Sequence, residues 1–172
     1  TDLFPVLFDM KQKGVRVDLD KAEKIKNDLW SQEKKLRKEI QKLSGHFVEV
    51  WSAASVAKAF DALKIKYDRT PTGQPKFDKN FLSTHDSPLA KMVVNEREIN
   101  KARTTFIDTI VKHSHRGRIH AEIHQMRSDE GGTVTGRFSY SNPNLQQIPA
   151  RHAILGPLIR SIFIPEKDCE WG

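Results

Sequence analysis

A long amphipathic stretch between Asp18 and Gly45 constrains the fold of this chain more than any other feature of its sequence. Apolar residues recur in it at helical spacing, Asp18 can cap the first turn, and Ser44 with Gly45 can end the helix. At about 1.5 Å per residue, such a helix extends roughly 40 Å. The residues that this spacing turns inward are Ala22, Ile25, Leu29, Leu36, Ile40 and Leu43. The stretch therefore predicts a long helix with one buried face.

A second long helix is predicted to begin at Ser87 and Pro88, a pair that is typical of a helix start. Its helical spacing is marked by Leu89, Met92, Val93, Arg97, Ile99, Ala102, Phe106 and Ile110. Between the two long helices, Ser52 can cap a shorter helix, and residues 70–75 predict an exposed loop because they are rich in Pro, Thr and Gly. The residues that the shorter helix turns inward are Val56, Phe60 and Leu63. This order predicts a long antiparallel helical hairpin.

The segments that flank the hairpin have different periods. Residues 3–10 predict a short helix that Gly14 can end. From Arg116 the pattern changes, because Ile119, Ala121 and Ile123 alternate with polar residues as in a half-buried strand. Further strands are predicted around Val134, over residues 159–164 and from Trp171. We therefore expect an α+β fold with three parts: a lead-in helix over residues 1–20, the helical hairpin over 21–112, and a mainly antiparallel β region over 113–172.

The charge of the chain favours a polyanionic partner. Its 172 residues carry 29 Lys and Arg against 22 Asp and Glu, a net charge of +7. Nucleic acid fits this balance, and an acidic protein surface also fits. The lysines along the first long helix can be a solvated exterior or a stripe that faces phosphates. A single cysteine, Cys169, excludes an internal disulfide framework, and no apolar run is long enough to span a bilayer. We expect a cytoplasmic protein that has no membrane partner.

Residues 129–151 form the segment richest in hydrogen-bonding groups. The adjacent Gly131 and Gly132 let the main chain approach another molecule closely, and Arg137 lies at the centre. The hydroxyls come from Thr133, Thr135, Ser139 and Ser141, and the amides from Asn144, Gln146 and Gln147. Hydroxyls donate and accept, and so do amides, so a surface of this kind suits a nucleic acid.

Two runs within this segment, Thr-Val-Thr-Gly-Arg-Phe-Ser at 133–139 and Asn-Pro-Asn-Leu-Gln-Gln-Ile-Pro-Ala-Arg at 142–151, resemble the palm motif of family A DNA polymerases. The family is that of bacterial DNA polymerase I, and the Asp-Glu-Gly-Gly lead-in is more similar to its phage members. Gly-Arg-Ile-His at 117–120 and His-Gln at 124–125 resemble the first palm strand. The preceding order of helices and loop resembles the thumb subdomain. The resemblance covers nearly the whole chain.

The resemblance implies which residues touch DNA. Arg137 would reach the minor groove at the primer terminus. The other palm residues implied in DNA binding are Thr135, Ser139, Asn144, Gln146, Gln147, Arg151, His124 and Gln125. In the thumb, Lys101, Thr104 and Thr105 would contact the DNA backbone, while Phe106 replaces the usual Tyr and so removes one hydroxyl.

Catalysis is expected to need more than these residues. In the family, the first metal-binding aspartate lies a few residues beyond the position of Gly172, so we expect no catalytic or metal-binding residue and no cofactor in this chain. The parent polymerase would use Mg²⁺ held by carboxylates. The expected partners are primer–template DNA and the remaining palm and fingers, and the isolated chain is expected to be inactive. A stand-alone, non-catalytic basic DNA-binding module is the alternative.

Two other chemistries are less well supported by the sequence. A zinc site could be indicated by four histidines, His113, His115, His120 and His124. No cysteine or close carboxylate completes a set of zinc ligands, so these histidines are better interpreted as facing solvent or DNA. The glycine pair at 131–132 lacks the Gly-Lys-Ser/Thr ending of a phosphate-binding loop.

Overall fold

The computed structural model describes residues 3–128, 131–150, 152–167 and 169, and its helices and strands confirm the α+β class. The helices are α1 (Leu3–Lys13), α2 (Leu19–Ser44), α3 (Ala53–Ala62), α4 (Lys79–Thr84), α5 (Pro88–Lys101), α6 (Asp108–Lys112) and α7 (Leu155–Arg160). A π-helical turn occupies Ala102–Ile107, and a 3-10 turn occupies Leu145–Gln147. The strands are β1 (Val15–Arg16), β2 (Asp68–Arg69), β3 (Pro75–Lys76), β4 (Ser114–His115), β5 (Arg118–Ile119), β6 (Glu122–His124) and β7 (Ser139–Ser141).

Packing divides the chain into two compact units. One unit comprises Asn27–Lys101, and the other comprises Thr1–Lys26 with Ala102–Gly172. The boundaries predicted after residues 20 and 112 refer to functional subdomains, and they stay a prediction. Across the described residues, no helix combines the length and apolar character needed to span a bilayer.

The predicted caps are present and explain where several helices begin. The Asp18 carboxylate accepts a hydrogen bond from the Lys21 amide at 2.9 Å, and the Ser52 hydroxyl accepts one from the Ser55 amide at 3.3 Å. Each side chain satisfies a first-turn amide that has no partner within its helix. Gly14 and Gly45, at φ values of 65° and 79°, end α1 and α2 as predicted. The ends predicted from these local sequence signals are therefore confirmed.

The Asn27–Lys101 unit has its own apolar core, built on α3. Phe60 of α3 is fully buried, and its ring lies 4.8 Å from that of Phe77 and 6.1 Å from that of Tyr67. Other buried members of this core are Ile40, Val48, Val50, Val56, Leu82, Leu89 and Val93. The loop at 70–75 joins the antiparallel pair β2–β3, and its residues 71–74 are exposed, as predicted. Aromatic packing around Phe60 therefore connects α3 to the β2–β3 hairpin.

An ionic cluster lies between α2 and α5 within the same unit. Glu33 and Glu96 are both fully buried, and Arg37 donates to a carboxylate oxygen of each, at 2.5 Å and 2.8 Å respectively. Asn100 also donates to Glu33, at 3.0 Å, so the two helices pair in the antiparallel sense that was predicted. Burial raises the pKa of Glu96, although the hydrogen bond and the charge of Arg37 act in the opposite direction. All the residues predicted to face inward on α2 are apolar, and the buried Glu33 was not among them.

The second predicted long helix is interrupted. After α5, the chain continues through the π-helical turn Ala102–Ile107 before α6 begins. A π-helical turn uses i→i+5 hydrogen bonds, and the buried residues Ala102 and Ile107 are five positions apart. Thr104 and Thr105, which lie between them, are exposed.

The second unit contains short antiparallel strands. The order of its three-stranded sheet is β1-β5-β4, with Val15 opposite Ile119 and Ser114 opposite Ile119 on the other side. Strands β6 and β7 form a separate antiparallel pair. The strand predicted from the alternation around Ile119 and Ile123 is therefore present, but it is divided between β5 and β6.

Three predictions are wrong. Val134 lies in a turn, because glycines with positive φ at 131, 132 and 136 turn the chain repeatedly around it. Residues 159–164 are not a strand: α7 extends to Arg160, and only Phe163 forms an isolated bridge, with Val17. Leu43 is exposed rather than inward, since α2 ends one residue later. The strand predicted from Trp171 lies outside the described residues.

The ionic cluster generates a stability prediction. We expect Arg37→Met to lower the free energy of unfolding by about 3–5 kcal/mol at neutral pH, because it removes the cation that contacts both buried carboxylates. The loss should shrink as the pH falls towards the ordinary glutamate pKa of 4.5, since burial raises the pKa of Glu96 and protonation removes the charge of that carboxyl. Urea unfolding across a pH series measures both effects.

Lys35→Met is the matched control, since Lys35 is an exposed cation on the same helix. Its effect should stay within about 0.5 kcal/mol. Equal losses for the two variants would refute the role given to the cluster.

Candidate nucleic-acid interface

The predicted contact residues on β6 and β7 face one another across an antiparallel ladder. His124 pairs in register with Ser139, and Glu122 pairs with Ser141. The same sheet face carries Glu122 and His124, because they are two positions apart on one strand. The ladder therefore brings together two predicted contacts, His124 from the His-Gln pair at 124–125 and Ser139 from the run at 133–139.

A chain of hydrogen bonds orients the His124 ring. Ser141 Oγ lies 3.2 Å from Glu122 Oε2 and 2.7 Å from His124 Nε2. A carboxylate oxygen only accepts, so the Ser141 hydroxyl donates to Glu122, and His124 Nε2 must then donate to Ser141. Asn142 Nδ2 also donates to Glu122 Oε2, at 3.3 Å. This polarity assigns the proton of a neutral His124 ring to Nε2 and leaves Nδ1 as an acceptor.

Sequence reasoning did not single out Glu122 or pair it with Ser141. The alternation from Ile119 to His124 did place Glu122 on the same face as His124, and that signal could have identified it. Its partnership with Ser141, 19 positions away, depends on the strand register and has no local signal.

The two adjacent glycines are required for close packing. A Cβ atom on Gly131 would lie 3.1 Å from His124 Nε2, and one on Gly132 would lie 2.2 Å from the Met126 carbonyl oxygen. Gly132 also has a φ of 102°, which side-chain-bearing residues rarely adopt. The glycines thus bring the main chain against the His124 ring and against the strand exit, which is a different use from cradling a phosphate.

The loop that carries Arg137 is braced by hydroxyls. Thr133 Oγ1 donates to the Arg137 carbonyl oxygen at 2.8 Å, and Thr135 Oγ1 donates to Thr133 Oγ1 at 3.3 Å. Arg137 and Thr135 are exposed, and the Arg137 guanidinium has no ion pair within the described ranges. The loop therefore fixes the Arg137 backbone and leaves its side chain available to a partner.

The predicted amides lie on and beside the 3-10 turn. Asn144 caps that turn by accepting from the Gln146 amide at 3.1 Å, while Gln146 Nε2 donates to the Phe138 carbonyl oxygen at 2.9 Å. Gln147 is exposed. Asn144 and Gln146 thus have structural partners that the sequence did not reveal, whereas Gln147 faces solvent.

A small cavity connects these amides to the π-helical turn. It has a volume of about 110 Å³, and its lining includes Thr105, Phe106, Asn144 and Gln147. The predicted contacts Thr105, Asn144 and Gln147 are therefore neighbours. Phe106 contributes to the apolar part of this lining.

Other predicted contacts are placed differently. The Ser139 hydroxyl is buried and has no hydrogen-bond partner among the residues that the structure describes, and Gln125 is half-buried. Thr104 and Lys101 are both exposed. They belong to different units, because Lys101 is the last residue of the Asn27–Lys101 unit. Arg151 lies outside the described residues. The roles of all these residues in DNA binding stay predictions.

Arg118, within the Gly-Arg-Ile-His run, has a structural role in the same unit. Its guanidinium donates two hydrogen bonds to Glu166, at 2.8 Å and 2.9 Å. These hydrogen bonds and the Arg118 charge lower the pKa of Glu166. Among the residues with described positions, no group of three His, Cys, Asp or Glu could hold a metal ion.

Comparison with known proteins gives a consistent family. The family described as DNA polymerase family A matches residues 19–171. A DNA-directed DNA polymerase of Pseudomonas phage M6 is 33% identical over 99% of this chain and 27% of its own length. The DNA polymerase DpoZ of Vibrio phage phiVC8 is also 33% identical, over 98% of this chain and 28% of its own length. The thermostable DNA polymerase I of Thermus filiformis is 30% identical over 94% of this chain and 20% of its own length.

A solved structure agrees with these sequences. The POL domain of Pol1 from M. smegmatis, in complex with DNA primer-template and dNTP, superposes with a TM-score of 0.74 at 26% identity. The match covers 91% of this chain and 27% of that one. The chain thus spans between 20% and 28% of the length of these polymerases. Because the family match extends over most of the sequence and includes both polar runs, this chain belongs to DNA polymerase family A.

Proposed function

We propose that this chain is the part of a DNA-directed DNA polymerase that grips the primer–template duplex. The observation that carries the proposal is the exposed Arg137 side chain, without an ion pair in the described residues, on a loop whose neighbouring groups are neutral hydroxyls and amides. The related Pol1 domain in complex with primer-template DNA supports the same partner. The helical hairpin would act as the thumb, and residues 113–172 as part of the palm.

The arrangement suits recognition that is independent of sequence. Every base pair presents a purine N3 and a pyrimidine O2 acceptor in the minor groove, at positions that vary little among the base pairs. An arginine in the groove can therefore donate to any correctly paired terminus. A mispair displaces the acceptors and leaves the guanidinium without partners. Arg137 would thus couple the grip on DNA to correct pairing.

His124 would complement Arg137. Its Nε2 donates to Ser141, so Nδ1 of the neutral ring offers an acceptor where Arg137 offers donors. In the minor groove the exocyclic amine of guanine is a donor, and an imidazole acceptor fits it. We infer that Glu122 and Ser141 act as positioning residues for His124.

Nucleotide incorporation is proposed to need the remainder of the polymerase, with Mg²⁺ held by carboxylates there. The proposal is supported by the extent of the match to the phage M6 polymerase, because this chain corresponds to 27% of the length of that enzyme. The phage and bacterial sources of the relatives support action in the cytoplasm of a bacterial cell or a phage-infected host. A polypeptide of these 172 residues should extend no primer in the presence of magnesium, and robust extension would contradict the proposal.

The proposed grip can be tested at Arg137 in the polymerase that carries these residues. Arg137→Ala should slow extension from matched primers by a similar factor on all sequences, corresponding to about 1–3 kcal/mol, and should narrow the preference for matched over mismatched termini. Arg137→Lys should rescue only partly, because an ammonium lacks the planar fork of a guanidinium. Single-turnover extension from matched and mismatched primers measures both effects.

Arg160→Ala is the control, since it removes an exposed arginine from α7 in the same unit. Its rates should equal those of the unmodified polymerase. The groove role of Arg137 would be abandoned if Arg137→Ala also left matched extension and mismatch discrimination unchanged.

The orientation of His124 gives a separate test. Ser141→Ala removes the acceptor for Nε2, so the Nδ1–H tautomer should become populated, and DNA affinity should weaken by about 1 kcal/mol. Nitrogen-15 chemical shifts of the labelled imidazole report the tautomer, and binding to labelled primer–template reports the affinity. Ser161→Ala, which removes a hydroxyl that donates to the Leu158 carbonyl oxygen, is the control. An unchanged tautomer in Ser141→Ala would show that Ser141 does not position the ring.

A further inference from the structure

Trp51 is held rigidly while much of its ring is open to solvent. Its indole Nε1 donates to Asn100 Oδ1 at 3.1 Å, and the Arg97 guanidinium lies over the ring at 5.4 Å from its centroid. Asn100 is itself fixed, because its amide donates to the buried Glu33. The side chain nevertheless remains 54% exposed. Such a ring is a preorganised platform, because ordering it on binding costs little further conformational entropy.

Arg97 is fixed as firmly as Trp51, by two hydrogen bonds to main-chain carbonyl oxygens. Its Nε donates to the Val50 carbonyl oxygen at 2.7 Å, and its Nη1 donates to the Phe77 carbonyl oxygen at 2.8 Å. Burial lowers the pKa of Arg97, but a guanidinium stays charged in proteins. Within the described residues, Arg97 has no carboxylate in an ion pair. A positive charge is thus built in beside the Trp51 ring.

A cavity of about 300 Å³ lies beside this ring, at the lower end of the volumes of small-molecule sites. Phe77, Leu82 and Val94 contribute its apolar lining, and Lys79 and Lys101 lie in it with Arg97. All these residues belong to the Asn27–Lys101 unit. The cavity therefore combines an aromatic platform, an apolar lining and three cations.

Two carboxylates also line the cavity, and both have local cations. Asp78 caps α4 through the Phe81 amide and pairs with Lys76 at 3.1 Å. Glu98 lies 3.8 Å from Lys79. These pairings leave Arg97 and Lys101 without a carboxylate counter-ion in the described part of the unit, so the local charge is positive. A polyanion is favoured over a neutral ligand.

We propose that this cavity binds one base of a single-stranded nucleic acid, stacked on Trp51, with the adjacent phosphates near Lys79 and Lys101. Every base has a π face, so stacking on an indole requires no particular sequence. An apolar protein side chain could fill the same lining but would gain nothing from the cations. The proposal shares Lys101 with the predicted thumb contacts, but its stacking residue Trp51 has no part in the duplex grip assigned to Arg137, and the form of DNA is different.

The test compares a short fluorescent oligothymidylate with an abasic oligomer of the same length, by anisotropy titration of the polymerase that carries these residues. Trp51→Ala should weaken oligothymidylate binding by about 5- to 150-fold, the range expected for one stacked base. Trp51→Phe should retain part of the affinity, because it keeps an aromatic face. Binding of the abasic oligomer and of a blunt duplex should be unchanged in both variants.

Phe47→Ala is the matched control. Phe47 is another exposed aromatic of the same unit, but it lies outside the Trp51 cavity. Lys79→Gln provides a second test that does not disturb the fold, since Lys79 is exposed. It should lower the slope of log affinity against log salt by about 0.7, the value for one phosphate on a single strand.

The outcomes separate this proposal from the proposed function. Equal affinity of the unmodified protein for the oligothymidylate and the abasic oligomer would overturn base stacking. An unchanged oligothymidylate affinity in Trp51→Ala, or an equal loss in Phe47→Ala, would do the same. If the unmodified protein did not bind the duplex, that result would count against the duplex grip. It would not change the conclusion drawn from binding of the single strand.

Discussion

The arrangement of α2 and α5 depends on two buried carboxylates that share one guanidinium. Glu33 and Glu96 would each be strongly unfavourable in an apolar interior, and Arg37 is the cation that makes their burial tolerable. Because a guanidinium fork reaches both acids only from one direction, the pairing restricts which faces of the two helices can meet. Asn100 extends the same network from Glu33 to the Trp51 indole. The exposed aromatic platform is therefore oriented by a buried ionic centre.

Local sequence signals predicted the helices well, because caps and helix ends depend on residues only a few positions apart. Asp18, Ser52 and Gly45 are examples. The strands were predicted less well. The β propensity of Val134 is overridden by glycines on both sides, and residues 159–164 are a short apolar run of the kind that periodicity assigns poorly. The buried residues Leu155, Ile159 and Ile162 are in fact spaced by four and three, which is the helical signal that was missed.

The sequence predicted which residues make up the candidate site, but not which hydrogen bonds connect them. The sequence identified the polar segment around Arg137 and the residues whose resemblance implies DNA contact. It could not show that the Ser139 hydroxyl is buried or that the Gln146 amide bonds to the Phe138 carbonyl, since both depend on how the loop folds back. The polarity of the hydrogen bonds from His124 to Glu122 likewise requires the register of β6 against β7. Long-range pairing, rather than residue type, is the missing information.

The π-helical turn fixes the number of residues that this part of the chain can contain. Each residue of a regular helix rotates the chain by about 100°. Deleting one position between Ala102 and Ile107 would restore α-helical hydrogen bonding, but it would also rotate the following residues about the helix axis relative to the preceding ones. Ile107 and Ile110, both buried, would leave their packing positions relative to Ala102. The exposed loop at residues 71–74 has no helical rotation that must be kept, so its length can change at little cost in loop-closure entropy. Insertions and deletions among homologues should therefore be excluded from the π-helical turn and tolerated in that loop.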